Sequence, residues 1–200
     1  MQAAVVVPVK AFHAAKLRLS PALGPADRAD LARHMATAVV RAAAPLATLV
    51  VCDDEEVRRW ALDLGAEVRW TPGLGLDGAV SAGVEQVADA GFDRVVVSHA
   101  DLPLATGLVH VAEGSGAVLV PDRRADGTNV ISIPAASGFR FAYGPGSFHR
   151  HLAEAERLGL EATVLDDGDL SWDVDVPDDL VLPSGEMVAG IPGGPPPTRS

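Results

Sequence analysis

Short, valine-rich apolar runs alternate along the chain with longer segments whose apolar residues recur every three or four positions. Residues 3–9 form an apolar, β-branched run ending in Pro8-Val9-Lys10 and predict the first buried strand. Residues 48–52, 67–70, 95–97, 117–121, 129–133 and 161–165 predict further strands. A helical pattern from 25 to about 44, opened by Pro25 and ended by Pro45, sets Leu31, Met35, Ala38 and Val39 on one face. A second runs through Val57, Trp60 and Leu64, with Asp53 as its expected cap and Gly65 as its stop signal. A third, 79–90, carries Val80, Val84 and Val87. A short helix is expected over 104–111, and another after Gly144-Pro145-Gly146-Ser147, through Leu152, Ala155 and Leu158.

Strand and helix in regular alternation predict an α/β fold: a mostly parallel, Rossmann-like sheet covered by helices on both faces. After residue 121 the pattern changes. A polar, turn-rich connection and a returning strand suggest a β-hairpin insertion near the cleft. Residues 1–182 read as one domain. From Pro183 to 200 the composition turns to Gly, Pro and Ser, which predicts a disordered tail.

Composition narrows the function classes. With 48% hydrophobic residues but only 4% aromatic ones, the core must be built from Ala, Val and Leu, and no aromatic platform for stacking bases is in view. A net charge of -11 argues against nucleic acid and anionic membranes as partners, so an anionic ligand must meet a local basic patch. No stretch approaches the roughly 20 apolar residues of a membrane span, and no basic leader precedes the first strand. A cytoplasmic location is expected. Cys52, the single cysteine, ends an apolar run and reads as a buried, inert thiol.

Three carboxylates and three cations carry the candidate chemistry. Asp101 follows the apolar run 95–97 in Ser98-His99-Ala100-Asp101-Leu102-Pro103, where it either caps a turn or stands at the ligand-binding edge of a parallel sheet. Asp173 and Asp175, at i and i+2 of an extended segment, point the same way. They read as oxygen ligands suited to magnesium or as solvated members of an acidic run. Lys10, Lys16 and Arg18 form a basic patch just past the first strand. The chain uses Arg at every other basic position, so two lysines here suit a triphosphate and its departing pyrophosphate, although chance clustering remains an alternative. Gly73 and Gly75 lie in a glycine-rich loop that serves as a simple turn or as a nucleotide contact. Gly144 and Ser147 precede a helix N-terminus with anion-binding character, and Arg123, Arg124 and Thr128 could complete a pocket for an acidic substrate. His149 and His151, at i and i+2 of a helix, do not share a face and read as surface or capping residues.

Taken together, Val7-Pro8-Val9-Lys10 with Ala15-Lys16-Leu17-Arg18-Leu19, His99-Ala100-Asp101-Leu102-Pro103, Pro121-Asp122-Arg123-Arg124 with Gly127-Thr128-Asn129, Gly144-Pro145-Gly146-Ser147-Phe148 and Asp173-Val174-Asp175 resemble, in order, the motifs of the guanylyltransferases of deazaflavin-coenzyme biosynthesis. Those enzymes act on 2-phospho-L-lactate or phosphoenolpyruvate. The resemblance covers about residues 3–181. It implies a three-layer nucleotidyltransferase fold and transfer of GMP from GTP to the phosphate of a three-carbon acid. It also implies Mg2+ at Asp101, Asp173 and Asp175, acceptor contacts at Thr128, Gly144 and Ser147, and nucleotide phosphates facing Lys10, Lys16 and Arg18. Ala125-Asp126 stand where the family reads Gly-Thr, a departure that bears on the shape of the acceptor loop. Partners implied are GTP, the phosphorylated acid and either a second copy or the next enzyme of the pathway. The alternatives are a nucleotidyltransferase for a sugar phosphate or molybdopterin-type acceptor, and a non-catalytic GTP-binding regulator.

Overall fold

A computed structural model describes residues 2–190 of the chain. Period-two alternation within the strands decides the layering. Val5 and Val7 of β1 (Ala3–Pro8), Val50 and Cys52 of β2 (Ala47–Cys52) and Val96 of β4 (Arg94–Ser98) face α1 (Pro25–Ala42), α2 (Glu55–Asp63) and α4 (Val109–Ala112). Ala4, Val6, Leu49, Val51, Val95 and Val97 face the other way, onto α3 (Gly75–Asp89) and α5 (Ser147–Arg157). Small side chains let the layers approach closely. At Gly83 of α3 an added Cβ would lie 2.7 Å from Val51 Cγ1 and 2.9 Å from Val6 Cγ1. Gly83→Ala should therefore cost about 1–2 kcal/mol from overpacking. Helix propensity alone would make the same change favourable by about 0.5–1 kcal/mol, so the sign of the shift in a urea midpoint separates the two effects.

With β3 (Glu67–Trp70), β5 (Ala117–Pro121), β6 (Thr128–Pro134) and β7 (Ala162–Val164), the sheet has seven strands in the order β3-β2-β1-β4-β6-β5-β7. β6 alone is antiparallel to its neighbours, β4 and β5. The expected hairpin is thus built into the sheet. Its consequence for the site is direct: β6 begins where the parallel strands end, so Thr128 and Asn129 sit beside Ser98 and His99.

Several local expectations are corrected. Asp54, not Asp53, caps α2, accepting the Glu56 and Val57 N–H groups at 3.0 Å each. α3 starts at Gly75 rather than Ala79, four residues earlier than the apolar stripe indicates, despite the low helix propensity of Gly75 and Gly78. α4 spans only Val109–Ala112, not 104–111. Residues 183–190, grouped by composition with a disordered tail, fold back: Val181 bridges Met187, the Val188 N–H donates to the Leu180 carbonyl at 2.9 Å, and Val188 is buried with Leu31 and Met35 of α1. Residues 191–200 of that tail lie outside the described residues.

Candidate active site

The chain runs outward from β1 to β2 and β3, then returns across β1 to β4. At such a reversal the connections leave a crevice at the carboxyl ends of the strands. A cleft of about 880 Å³ lies there, lined among others by Lys10, Lys16, Arg18, Asp101, Asp173 and Asp175. Gly75, Arg124, Thr128, Gly144 and Ser147 also line it.

Asp101 is delivered by β4, whose following residue Leu102 is fully buried and anchors the turn. Its backbone carbonyl accepts the Val174 N–H at 3.3 Å, which brings a segment 73 residues away alongside it. Val174 is buried against Leu19 and Leu31, so Asp173 and Asp175 flank it and face the cleft. Asp179, buried in the 3-10 turn Pro177–Leu180, fixes this segment: its Oδ2 accepts the N–H groups of Asp175 and Val176 at 2.7 and 2.8 Å.

Lys16 closes the constellation. Its backbone is left-handed (φ 54°), and its ammonium lies 2.6 Å from Asp101 Oδ2 and 3.3 Å from Asp175 Oδ1. Burial by itself would lower the Lys16 pKa, but Asp101 and Asp175 raise it above the ordinary value. Burial would likewise push the Asp101 carboxyl up, yet Lys16, and secondarily His99, hold it below the usual carboxylate range. Asp173 goes the other way: burial, then the charges of Asp101, Asp175 and Asp122, raise it. One oxygen of Asp101, Oδ1, is buried with no hydrogen-bond partner. Among the described residues no three His, Cys, Asp or Glu side chains are gathered as a metal-holding group. The Lys16 ammonium stands between two of the acids instead.

The opposite wall is made by two loops. Asp122 accepts the N–H groups of Arg124, Asp126 and Gly127 at 2.9–3.0 Å and so folds the 122–127 loop around its own carboxylate. Ala125 keeps a left-handed backbone (φ 53°), the conformation glycine favours, so the departure from Gly at this position leaves the turn in place. Ser147 Oγ accepts the Thr128 N–H at 3.1 Å, and both residues are buried. Arg150 binds the Ala142, Tyr143, Gly144 and Pro145 carbonyls, which pins the 142–145 loop over the cleft.

Most of the expected site residues are thus brought together. Two are not among the lining residues. Arg123 turns away from the cleft, pairs with buried Asp179 and stacks 3.9 Å above the Trp172 ring, whereas Arg124, its neighbour in the 122–127 turn, lines the cleft and also comes within 3.8 Å of Asp179. Gly73 lies outside the cleft wall, whereas Gly75, as the first residue of α3, is part of it. His151, expected as a surface or capping residue, is fully buried. Asp179, Asp122 and His151 escaped the sequence reading as site-building residues. Asp179 carried a usable signal, an acid at the third position of a helical turn opened by Pro177.

The sequence profile of the family described as "Guanylyl transferase CofC like" matches residues 3–188. The chain belongs to this family. Phosphoenolpyruvate guanylyltransferase of Rubrobacter xylanophilus is 37% identical over 189 residues, which cover 90% of this chain and 92% of that protein. 2-Phospho-L-lactate guanylyltransferase of Methanothermobacter thermautotrophicus is 34% identical over 197 residues, covering 94% and 85%. A crystal structure described as a nucleotide-diphospho-sugar transferase from Desulfovibrio desulfuricans G20 superposes with a TM-score of 0.70 at 21% identity, covering 88% of this chain and 84% of that one. That likeness establishes the nucleotidyltransferase type of α/β fold for this CofC-like chain. No helix among its described residues is long and apolar enough to cross a membrane.

Proposed function

We propose that this CofC-like protein transfers GMP from GTP to the phosphate of a small three-carbon acid, phosphoenolpyruvate or 2-phospho-L-lactate, and releases pyrophosphate. The observation that carries this reading is the convergence of three carboxylates and three cations on one cleft whose far wall presents Thr128, Gly144 and Ser147. A site for joining two phosphorylated molecules needs both charges: cations for the phosphates, acids for a divalent ion.

In the reaction a phosphate oxygen of the acid forms a bond to the α-phosphorus of GTP in line with the bridging oxygen, whose bond to that phosphorus breaks as pyrophosphate leaves. No general base is required, since a phosphate monoester with a second pKa of about 6 is already largely dianionic near neutrality. The protein's work is positioning and charge neutralisation. Lys10 and Arg18 at the mouth of the cleft and Lys16 deeper in it meet the nucleotide phosphates, while Arg124, Thr128, Gly144 and Ser147 meet the acceptor. Asp101, Asp173 and Asp175 would hold Mg2+. Asp101 Oδ1, which has no hydrogen-bond partner, and Asp173, raised by burial and then by the neighbouring acids, fit a hard cation, and magnesium commonly takes only one or two carboxylates, with water and phosphate oxygens completing its shell. When bound, the ion would neutralise charge on the phosphates. Lys16 would then release at least one acid and be free to turn toward the departing pyrophosphate.

Pyrophosphate release from GTP, measured with phosphoenolpyruvate, 2-phospho-L-lactate, 3-phosphoglycerate and a hexose 1-phosphate in parallel, tests the reading. Turnover with one of the first two acids is expected, with phosphoenolpyruvate favoured by the more similar of the two relatives. Turnover with the sugar phosphate alone would make the protein a sugar nucleotidyltransferase. A GTP-induced rise in melting temperature with no turnover would make it a binding protein.

A further inference from the structure

His151 has no part in the chemistry above, yet its ring touches Thr128 of the acceptor wall from behind. It is fully buried, enclosed by the rings of Phe139, Phe141 and Tyr143 at centroid distances of 5.7, 6.2 and 5.0 Å. Both ring nitrogens are engaged. The Ala142 N–H donates to Nε2 at 3.0 Å, and Nδ1 lies 3.0 Å from Thr128 Oγ1. A backbone amide can only donate, so Nε2 must be unprotonated. Burial, followed by the nearby Arg150 and His99, lowers the ring's pKa to about 4, so it is neutral at physiological pH. A neutral ring with a bare Nε2 carries its proton on Nδ1 and donates it to the Thr128 hydroxyl.

That assignment fixes what Thr128 can do. Its oxygen already accepts from His151, and among the described residues its own proton has no protein acceptor, although the residue lines the cleft. Ser147 is in the same condition, with its oxygen taken by the Thr128 N–H. Two hydroxyls that each accept one bond from behind keep their protons available for a ligand, and accepting a hydrogen bond strengthens the donation. Donors without acceptors suit a ligand rich in anionic oxygens.

We propose that His151 is a positioning residue for the acceptor: through its Nδ1–H it holds the Thr128 hydroxyl as a donor aimed at an anionic oxygen of the phosphorylated acid. The inference rests on the guanylyltransferase reading of the cleft. It extends that reading from residues that line the cleft to one behind them.

The test is steady-state kinetics of GMP transfer with the two substrates varied separately. His151→Phe fills the ring's space and removes both nitrogens, and it should raise the KM for the acceptor about tenfold, the loss expected for one hydrogen bond to a charged group, with kcat and the KM for GTP changed less than about threefold. Thr128→Val should raise the acceptor KM similarly. In the double variant the two effects should not multiply, because the second substitution removes a contact already lost. His151→Asn places an amide N–H near the position of Nδ1 and should restore most of the acceptor affinity; it also keeps the test alive if the Phe variant fails to fold. Equal rises in both KM values, multiplying effects in the double variant, or no rescue by Asn would overturn the proposal. If the wild-type protein transfers GMP to neither acid, the reading of the cleft fails, and this inference fails with it; wild-type turnover with any of the other outcomes overturns the inference alone.

Discussion

Asp101→Ala should abolish measurable GMP transfer, a loss of at least about 10³-fold in kcat, because it removes charge from the point where the phosphates, the cation and Lys16 meet. Asp101 Oδ2 is the closer of the two carboxylate partners of the Lys16 ammonium, and Oδ1 has no hydrogen-bond partner, only His99 Nδ1 at 3.9 Å. The side chain therefore does little for the fold that Lys16 does not share. A circular-dichroism spectrum close to wild type is expected alongside the loss. Asp101→Asn preserves the volume and should lose nearly as much, since the amide supplies no negative charge. Wild-type pyrophosphate release from either variant would remove Asp101 from the reaction.

The largest stability effect should come from Asp179→Ala, at about 3–5 kcal/mol in chemical denaturation, the range for leaving one member of a buried ion pair uncompensated. Asp179 accepts two backbone N–H groups and pairs with the Arg123 guanidinium, which would lose its carboxylate while still stacked on Trp172. Asp179→Asn retains an acceptor for part of the set and should cost less. Burial would raise the Asp179 carboxyl, but the Val176 and Asp175 amides and Arg123 hold it below its ordinary 3.8. A carboxyl lowered on folding stabilises the native state above its unfolded value, and the contribution disappears as pH falls through the lower folded one. The stability gap between wild type and Asp179→Asn should accordingly be widest near neutrality and narrow below about pH 4. A gap that widened with acid would contradict this account.

The parts of the molecule legible in the sequence are those in which one short stretch states both pattern and place. The apolar run before Ser98 specified a strand, and an acid just past it specified a ligand edge. The i, i+2 spacing of Asp173 and Asp175 put them on one side, with Val174 buried behind them. What stayed hidden depends on contacts between remote segments. The i, i+2 spacing to His149 says nothing of the role of His151, but its spacing from Phe148, Leu152 and Ala155 follows the buried stripe of α5, and that stripe decides its burial. Arg123 and Arg124 could not be separated by composition, because both reach Asp179 from the 122–127 turn and only the fold stacks Arg123 on Trp172 while leaving Arg124 on the cleft wall. The segment 183–190 is polar enough to look unanchored. A single buried valine and three backbone hydrogen bonds, from Leu182 to Glu186, from Gly185 to Leu182 and from Val188 to Leu180, hold it.

The pairing of Lys16 with two acids also governs when the cleft comes into existence. Its partners lie 85 and 159 residues further along the chain. Closing loops of that length carries an entropic cost that local structure does not offset, so the contacts that define the cleft belong with the late steps of folding. A chain synthesised only as far as Leu102 could bury its first four strands and still leave Lys16 facing one carboxylate instead of two. The cation that prepares the site thus becomes fully balanced only when the segment around Val174 has docked, which makes the ion pair to Asp175 a local marker of a completed fold.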